Sequence, residues 1–166
     1  MVALKTLGNI DSLVLADYIL YRHGPMSHLK LQKLIYLIES YHLAFFSGES
    51  LVSDSFEAWT HGPVSRKIYD SFKNSSILYG DLMYIPTPDA PKPEKILRES
   101  LSSEQTELID EVLTMYKDFS GMQLEGVTHK QLPWTNARHG LPYYAKCENA
   151  ISRTDMQQYF STLIEE

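Results

Sequence analysis

The sequence predicts a mainly α fold: a compact single domain around a central buried helix, with one short β-strand or hairpin. Three observations predict it. Apolar residues recur at helical spacing through "SHLKLQKLIYLIESYHLAFFSG", residues 27–48. Aspartate or serine caps open several further amphipathic runs. Only the stretch around residues 51–59 shows the period-two alternation of a strand.

Asp11 is placed to cap a first helix running to about Arg22, with Leu13, Ala16 and Leu20 on one face, and Gly24-Pro25 stops it. Ser27 opens the central helix. Leu31, Leu34, Ile35, Ile38, His42 and Phe45 follow the helical period, while Tyr36, Leu37 and Tyr41 fill other sides. A helix apolar on most of its circumference is a buried one. Lys30, Lys33 and Glu39 interrupt it too often for a membrane span.

Phe56 and Ala58 alternate with Glu57 and Trp59, which predicts a short strand ended by Gly62-Pro63, with residues 82–85 as its candidate pairing partner. A helix comes next, with Val64, Ile68 and Phe72 one turn apart. Within residues 74–101 "LMYIP" (82–86) reads as a short edge strand and the rest as a loop, because four of the eight prolines fall between Pro86 and Pro93. Ser102 with Gln105, and Ser120 with Gln123, have capping-box spacing. The first of these helices carries Leu108, Val112, Met115 and Tyr116; the second runs to about Gly126. Pro133 fits the first position of one more helical turn. Ser152 opens the last helix, with Met156, Tyr159, Phe160 and Leu163 on one face. The total is six or seven helices.

Composition excludes several function classes. The net charge of −6 disfavours general nucleic-acid binding, which uses Lys and Arg to neutralise phosphates, and suits a basic protein partner. A single cysteine, Cys147, allows no internal disulfide and no cysteine-based zinc site. The N-terminal stretch "MVALKTLGNIDSLVLADYIL" lacks a signal-peptide pattern, so the expected location is the cytoplasm, without membrane contact. The glycines form no phosphate-binding motif, and no cofactor is expected.

Six histidines are present, none paired at the i, i+4 spacing of a zinc helix, and no metal is expected. His42, alone on an apolar helix face, reads as a hydrogen-bonded core residue. His61 and His129 either fix their loops through backbone bonds or meet in space and, with a carboxylate, run metal or acid/base chemistry. Lys33 extends its stem along the core with its head in water, pairs with an acid, or contacts a partner. Trp134 is either a core lid or an exposed anchor. "AWTHGPV", residues 58–64, reads mainly as a stiff corner, since Gly62 permits an unusual backbone angle and Pro63 stiffens the next stretch of chain.

Three stretches, taken in order, carry a resemblance. They are "LKLQKLIYLIESYHLAFFSGESL" (29–51), "FEAWTHGPVSRKIYDSFK" (56–73) and "VTHKQLPWTNAR" (127–138). Leu-Gln-Lys-Leu, Ala-Trp then Gly-Pro-Val, and Thr-His then Pro-Trp together resemble the Panacea domain family of SocA-like antitoxins, found in bacteria, their phages (as prophage genes) and plasmids. The resemblance implies one such domain over residues 1–166, with a core of about 8–165. It implies a non-enzymatic antitoxin of a toxin-antitoxin system that neutralises a cognate toxin by direct protein–protein binding. Low-specificity candidates for the contact are Lys33, Tyr36, Trp59, His61, Tyr69, His129 and Trp134. Two alternatives stand beside it: a hydrolase using His61 and His129, and an adaptor that delivers its partner to a cytoplasmic protease. Some relatives carry an added helix-turn-helix region; the shared core leaves no room for one here, so no direct nucleic-acid contact is expected.

Overall fold

The computed structural model describes residues 7–165. The first six residues, which open the stretch inspected for a signal peptide, and Glu166 lie outside the described residues. Eight helices and two small antiparallel sheets make up the described fold.

The caps form where the sequence places them. The Asp11 carboxylate accepts from the Leu13 N–H at 2.9 Å and opens α1, Ser12–His23. Gly24, at φ 80°, ends it in a conformation that suits glycine. The Ser27 hydroxyl accepts from the Lys30 N–H at 3.1 Å and opens α2, His28–Phe45. Every α2 residue from Leu31 to Leu43 is buried, so α2 is the spine. α5 (Ser103–Tyr116) and α6 (Gly121–His129) each open with a complete capping box. α8, Arg153–Ile164, is capped by Ser152. The core is one continuous cluster in which α2 meets α1, α5, α6 and α8.

The strand pairing differs from expectation. β2, Phe56–Trp59, pairs with β3, Gly62–Ser65, in a tight hairpin with Ala58 opposite Pro63 and Trp59 opposite Gly62. The residues expected to end the strand begin its return. Gly62, at φ 100°, allows the reversal. Pro63 costs no ladder bond, because the Ala58–Pro63 pair points its polar groups outward: the Ala58 N–H donates to the Asn149 carbonyl at 2.9 Å, and its carbonyl accepts from Arg138. Residues 82–85 do not join this sheet. Instead β4, Asp81–Leu82, pairs with β1, Met26–Ser27, just before the spine.

Smaller differences lie at the element ends. Val64 belongs to β3, and α3, Arg66–Phe72, starts only after the Ser65 cap. The stretch assigned to loop contains α4, Pro93–Ser100, with Pro93 at its start and Glu94 2.7 Å from Arg98. Leu97 is its one fully buried aliphatic residue, too little for periodicity to register. α6 continues past Gly126 to His129, and in α7, Leu132–Ala137, Leu132 precedes Pro133 as the first helical residue. Phe45, Met115 and Leu163, placed on core faces by period, are exposed.

Candidate functional site

The three motif stretches converge on the β2–β3 hairpin, and they do so through hydrogen bonds to its backbone. The Arg138 guanidinium donates to the Ala58 carbonyl at 2.7 Å. The Trp134 indole N–H donates to the Trp59 carbonyl at 2.9 Å. His129 Nε2 donates to the Thr60 carbonyl at 2.8 Å, which fixes its tautomer. Lys33 Nζ donates to the Pro63 carbonyl at 2.9 Å. Gln32 brackets Ser65, accepting from its N–H at 2.9 Å and donating to its carbonyl at 3.2 Å. Five side chains from α2, α6 and the α7 region thus hold the hairpin backbone at Ala58, Trp59, Thr60, Pro63 and Ser65, giving partners to polar groups that folding removes wholly or partly from water.

Each clamp is itself fixed. His28 donates from Nδ1 to the Ser76 carbonyl at 2.7 Å and accepts from Gln32 at Nε2, so Gln32 has a single orientation. Trp134 is buried between the stacked His129 ring, 4.2 Å away, and the Arg138 guanidinium at 4.6 Å. Arg138 is buried too, and also donates to the carbonyls of Pro142 and Ala145. Gly62 leaves no room for a side chain: a Cβ there would sit 2.5 Å from Lys33 Cε and 2.9 Å from Thr128 Oγ1.

Lys33 is the unusual member. It is wholly buried, and desolvation pushes its ammonium down to about 7, opposed only by the charge of Glu125. Among the described residues its head reaches neither water nor an ion-pair partner. Glu125, on α6, bonds instead to His61 Nδ1 at 2.9 Å. His61 and His129 therefore do not share a ligand: one engages Glu125, the other the Thr60 carbonyl. Burial also lowers the basicity of His129. Among the described residues no group of three or more His, Cys, Asp and Glu side chains is arranged to hold a metal ion.

The outward side of the clamped corner is a cleft of about 480 Å³ lined by Trp59, His61, Val64, Arg66, Tyr69 and Ile77 among others. Trp59 stands edge-on to Tyr69 at 4.9 Å, with the Arg66 guanidinium 5.1 Å over its ring. Glu57 anchors both, accepting from the Trp59 indole at 2.8 Å and from Arg66 at 2.9 and 3.1 Å. Partial burial works to raise its carboxyl, but these donors outweigh that and hold it below the ordinary range. Ile77 and Tyr79 beside the cleft are about two-thirds exposed, and Tyr79 lies 6.4 Å from the His61 ring. Cys147 lines the cleft but is buried, its sulfur 3.4 Å from the Asn149 N–H.

The seven residues singled out by sequence thus divide. Trp59, His61 and Tyr69 line the cleft and are half-buried. Lys33, Tyr36 and Trp134 are buried, and His129 holds the turn from within; Tyr36 packs edge-on to Phe56 at 5.6 Å, deep in the core. Of the readings left open for Lys33, neither the head in water nor the acid pair is realised, and it offers no surface to a partner. Sequence inspection missed Gln32, Glu125 and Arg138 as individuals. Gln32 and Arg138 lie within motif stretches, but only the hairpin geometry gives them acceptors.

A family model described as "Antitoxin SocA-like, Panacea domain" matches residues 31–135. No curated protein and no solved structure gives a significant match.

Proposed function

The chain belongs to the antitoxin SocA-like, Panacea domain family, and from that premise we propose that it neutralises a cognate toxin protein by binding it directly at the hairpin cleft. Membership suggests a non-enzymatic role and implies a toxin partner. No described helix is long and apolar enough to cross a membrane, and the proposed site of action is the cytoplasm.

The observation that carries the proposal is the clamped corner. A surface whose backbone is fixed from behind by five side chains loses little freedom on binding, and that preorganisation favours affinity. Trp59 and Tyr69 are the residue types that most often anchor interfaces. In this reading Trp59, His61 and Tyr69 touch the toxin, while Lys33, Tyr36, His129 and Trp134 hold the surface in shape. The domain extends beyond residues 31–135 to take in α1 and α8; their packing on the spine supports that extent.

Expression of the adjacent reading frame tests this. Alone it should arrest growth; with this chain growth should return and the two products should co-purify. His61→Ala with Tyr69→Ala should abolish both rescue and co-purification while the chain stays folded. A harmless neighbour, or rescue without association and with falling toxin levels, would replace direct blocking by another mode.

A further inference from the structure

A second groove lies between the end of α2 and the outer face of α5. It has a volume of about 220 Å³ and is lined by Phe45, Phe46, Glu104, Glu107, Leu108 and Glu111. It shares no residue with the hairpin cleft. Leu108 is buried at its base. Phe45 is 52% exposed, although it closes a helix otherwise buried from Leu31 to Leu43. Glu104, Glu107, Leu108 and Glu111 follow the i, i+3, i+4, i+7 pattern and so share one face of α5.

The charge is one-sided. Glu104, Glu107 and Glu111 are exposed, and among the described residues none enters an ion pair, whereas Glu57, Glu94, Glu125 and Glu148 all do. Among the described residues no basic side chain lines the groove. The C-terminal end of the α2 dipole adds negative potential at Phe45. The three carboxylates are not arranged to hold a metal ion among the described residues. The cation that fits is therefore an extended one with an apolar stem: an arginine or lysine whose methylenes lie on Phe45 while its head meets the carboxylates.

We infer that this groove docks a basic amphipathic segment of a protein partner, its apolar side on Phe45 and Leu108 and its Arg or Lys side chains on Glu104, Glu107 and Glu111. The surface goes beyond the hairpin reading and stands or falls without it. A chain that rescues from the toxin but fails to bind a basic amphipathic peptide loses only this inference.

The test is fluorescence anisotropy with a labelled amphipathic helical peptide, leucine on one face and arginine on the other, titrated with the full chain. Glu107→Lys and Phe45→Ala should each weaken binding about tenfold, and Glu107→Gln by less. Raised salt should weaken it as well. Asp70→Lys, which makes the same charge change on α3, and Tyr69→Ala in the cleft should leave it unchanged. Equal loss with Asp70→Lys would reduce the effect to net-charge attraction and overturn the inference. So would an unaffected Phe45→Ala, loss with Tyr69→Ala, or no binding by the unmodified chain.

Discussion

Two charged residues are buried on the spine six positions apart, and they are satisfied in opposite ways. At one end Glu39 meets the Arg153 guanidinium and accepts from the Leu51 and Val52 N–H groups at 2.8 and 3.1 Å. Arg153 further donates to Ser50 at 2.9 Å and to the Asp54 carbonyl. That end ties the loop entering β2 to both α2 and α8 with a saturated network. At the other end Lys33 has, among the described residues, one hydrogen bond, to Pro63, and no ion-pair partner. Burial raises the Glu39 carboxyl against the pull of Arg153; it drives the Lys33 ammonium down to about 7. The saturated charge is a structural rivet. The unsaturated one is tolerated because its single bond shapes the corner that the partner is proposed to meet.

The largest effect should come from breaking the saturated end. Arg153→Met leaves Glu39 buried and unpaired, which should cost about 3 kcal/mol in a urea melt, the low side of the usual range because a third of Arg153 already faces water. A loss under about 1 kcal/mol would mean that water replaces the guanidinium and that the two ends differ little in how firmly they are held.

Gly62→Ala should come next. It combines a positive φ with a Cβ driven into Lys33, and should cost about 2 kcal/mol while shifting the hairpin amides in NMR spectra. Unchanged hairpin resonances would show that the corner is not clamped against Lys33.

The third test separates the two charges by pH. An unfolded lysine stays protonated to about pH 10.4, whereas folded Lys33 releases its proton near 7. Between these values the unfolded chain holds more protons, so stability gains from Lys33 as pH rises. The stability of the unmodified protein relative to Lys33→Met should climb by up to about 1.4 kcal/mol per pH unit from pH 7 to about pH 9.5. A flat difference would mean that Lys33 keeps its charge in the fold. The smallest effect on stability belongs to His61→Ala, within about 0.5 kcal/mol for a half-exposed side chain; a larger loss would make His61 another part of the clamp.

Much of the scaffold was legible because local chemistry writes it. The Asp11, Ser27, Ser102, Ser120 and Ser152 caps each accept from the backbone they were expected to satisfy. The hairpin was half legible. Alternation marked Phe56–Trp59, but the return strand carries Gly62-Pro63, which reads as a terminator unless one knows that Asn149 and Arg138 take the outward polar groups of Ala58. α4 escaped because eight residues with one buried leucine leave no period to count. For the site, residue type was a good guide to the cleft at Trp59, His61 and Tyr69. It was no guide at Lys33, where water, an acid and a partner are the alternatives that residue type offers and the Pro63 carbonyl is none of them. Only the long-range geometry, α2 against β3, shows that its partner is a carbonyl.

Hydrogen exchange on the chain, free and bound to the product of the adjacent reading frame, tests the central claim most directly. The account predicts that amides from Trp59 to Tyr69 and from Ile77 to Tyr79 gain protection on binding, with the hairpin already slow to exchange when free. A hairpin that exchanges freely until bound, or a complex that protects other segments and leaves these unchanged, would contradict it.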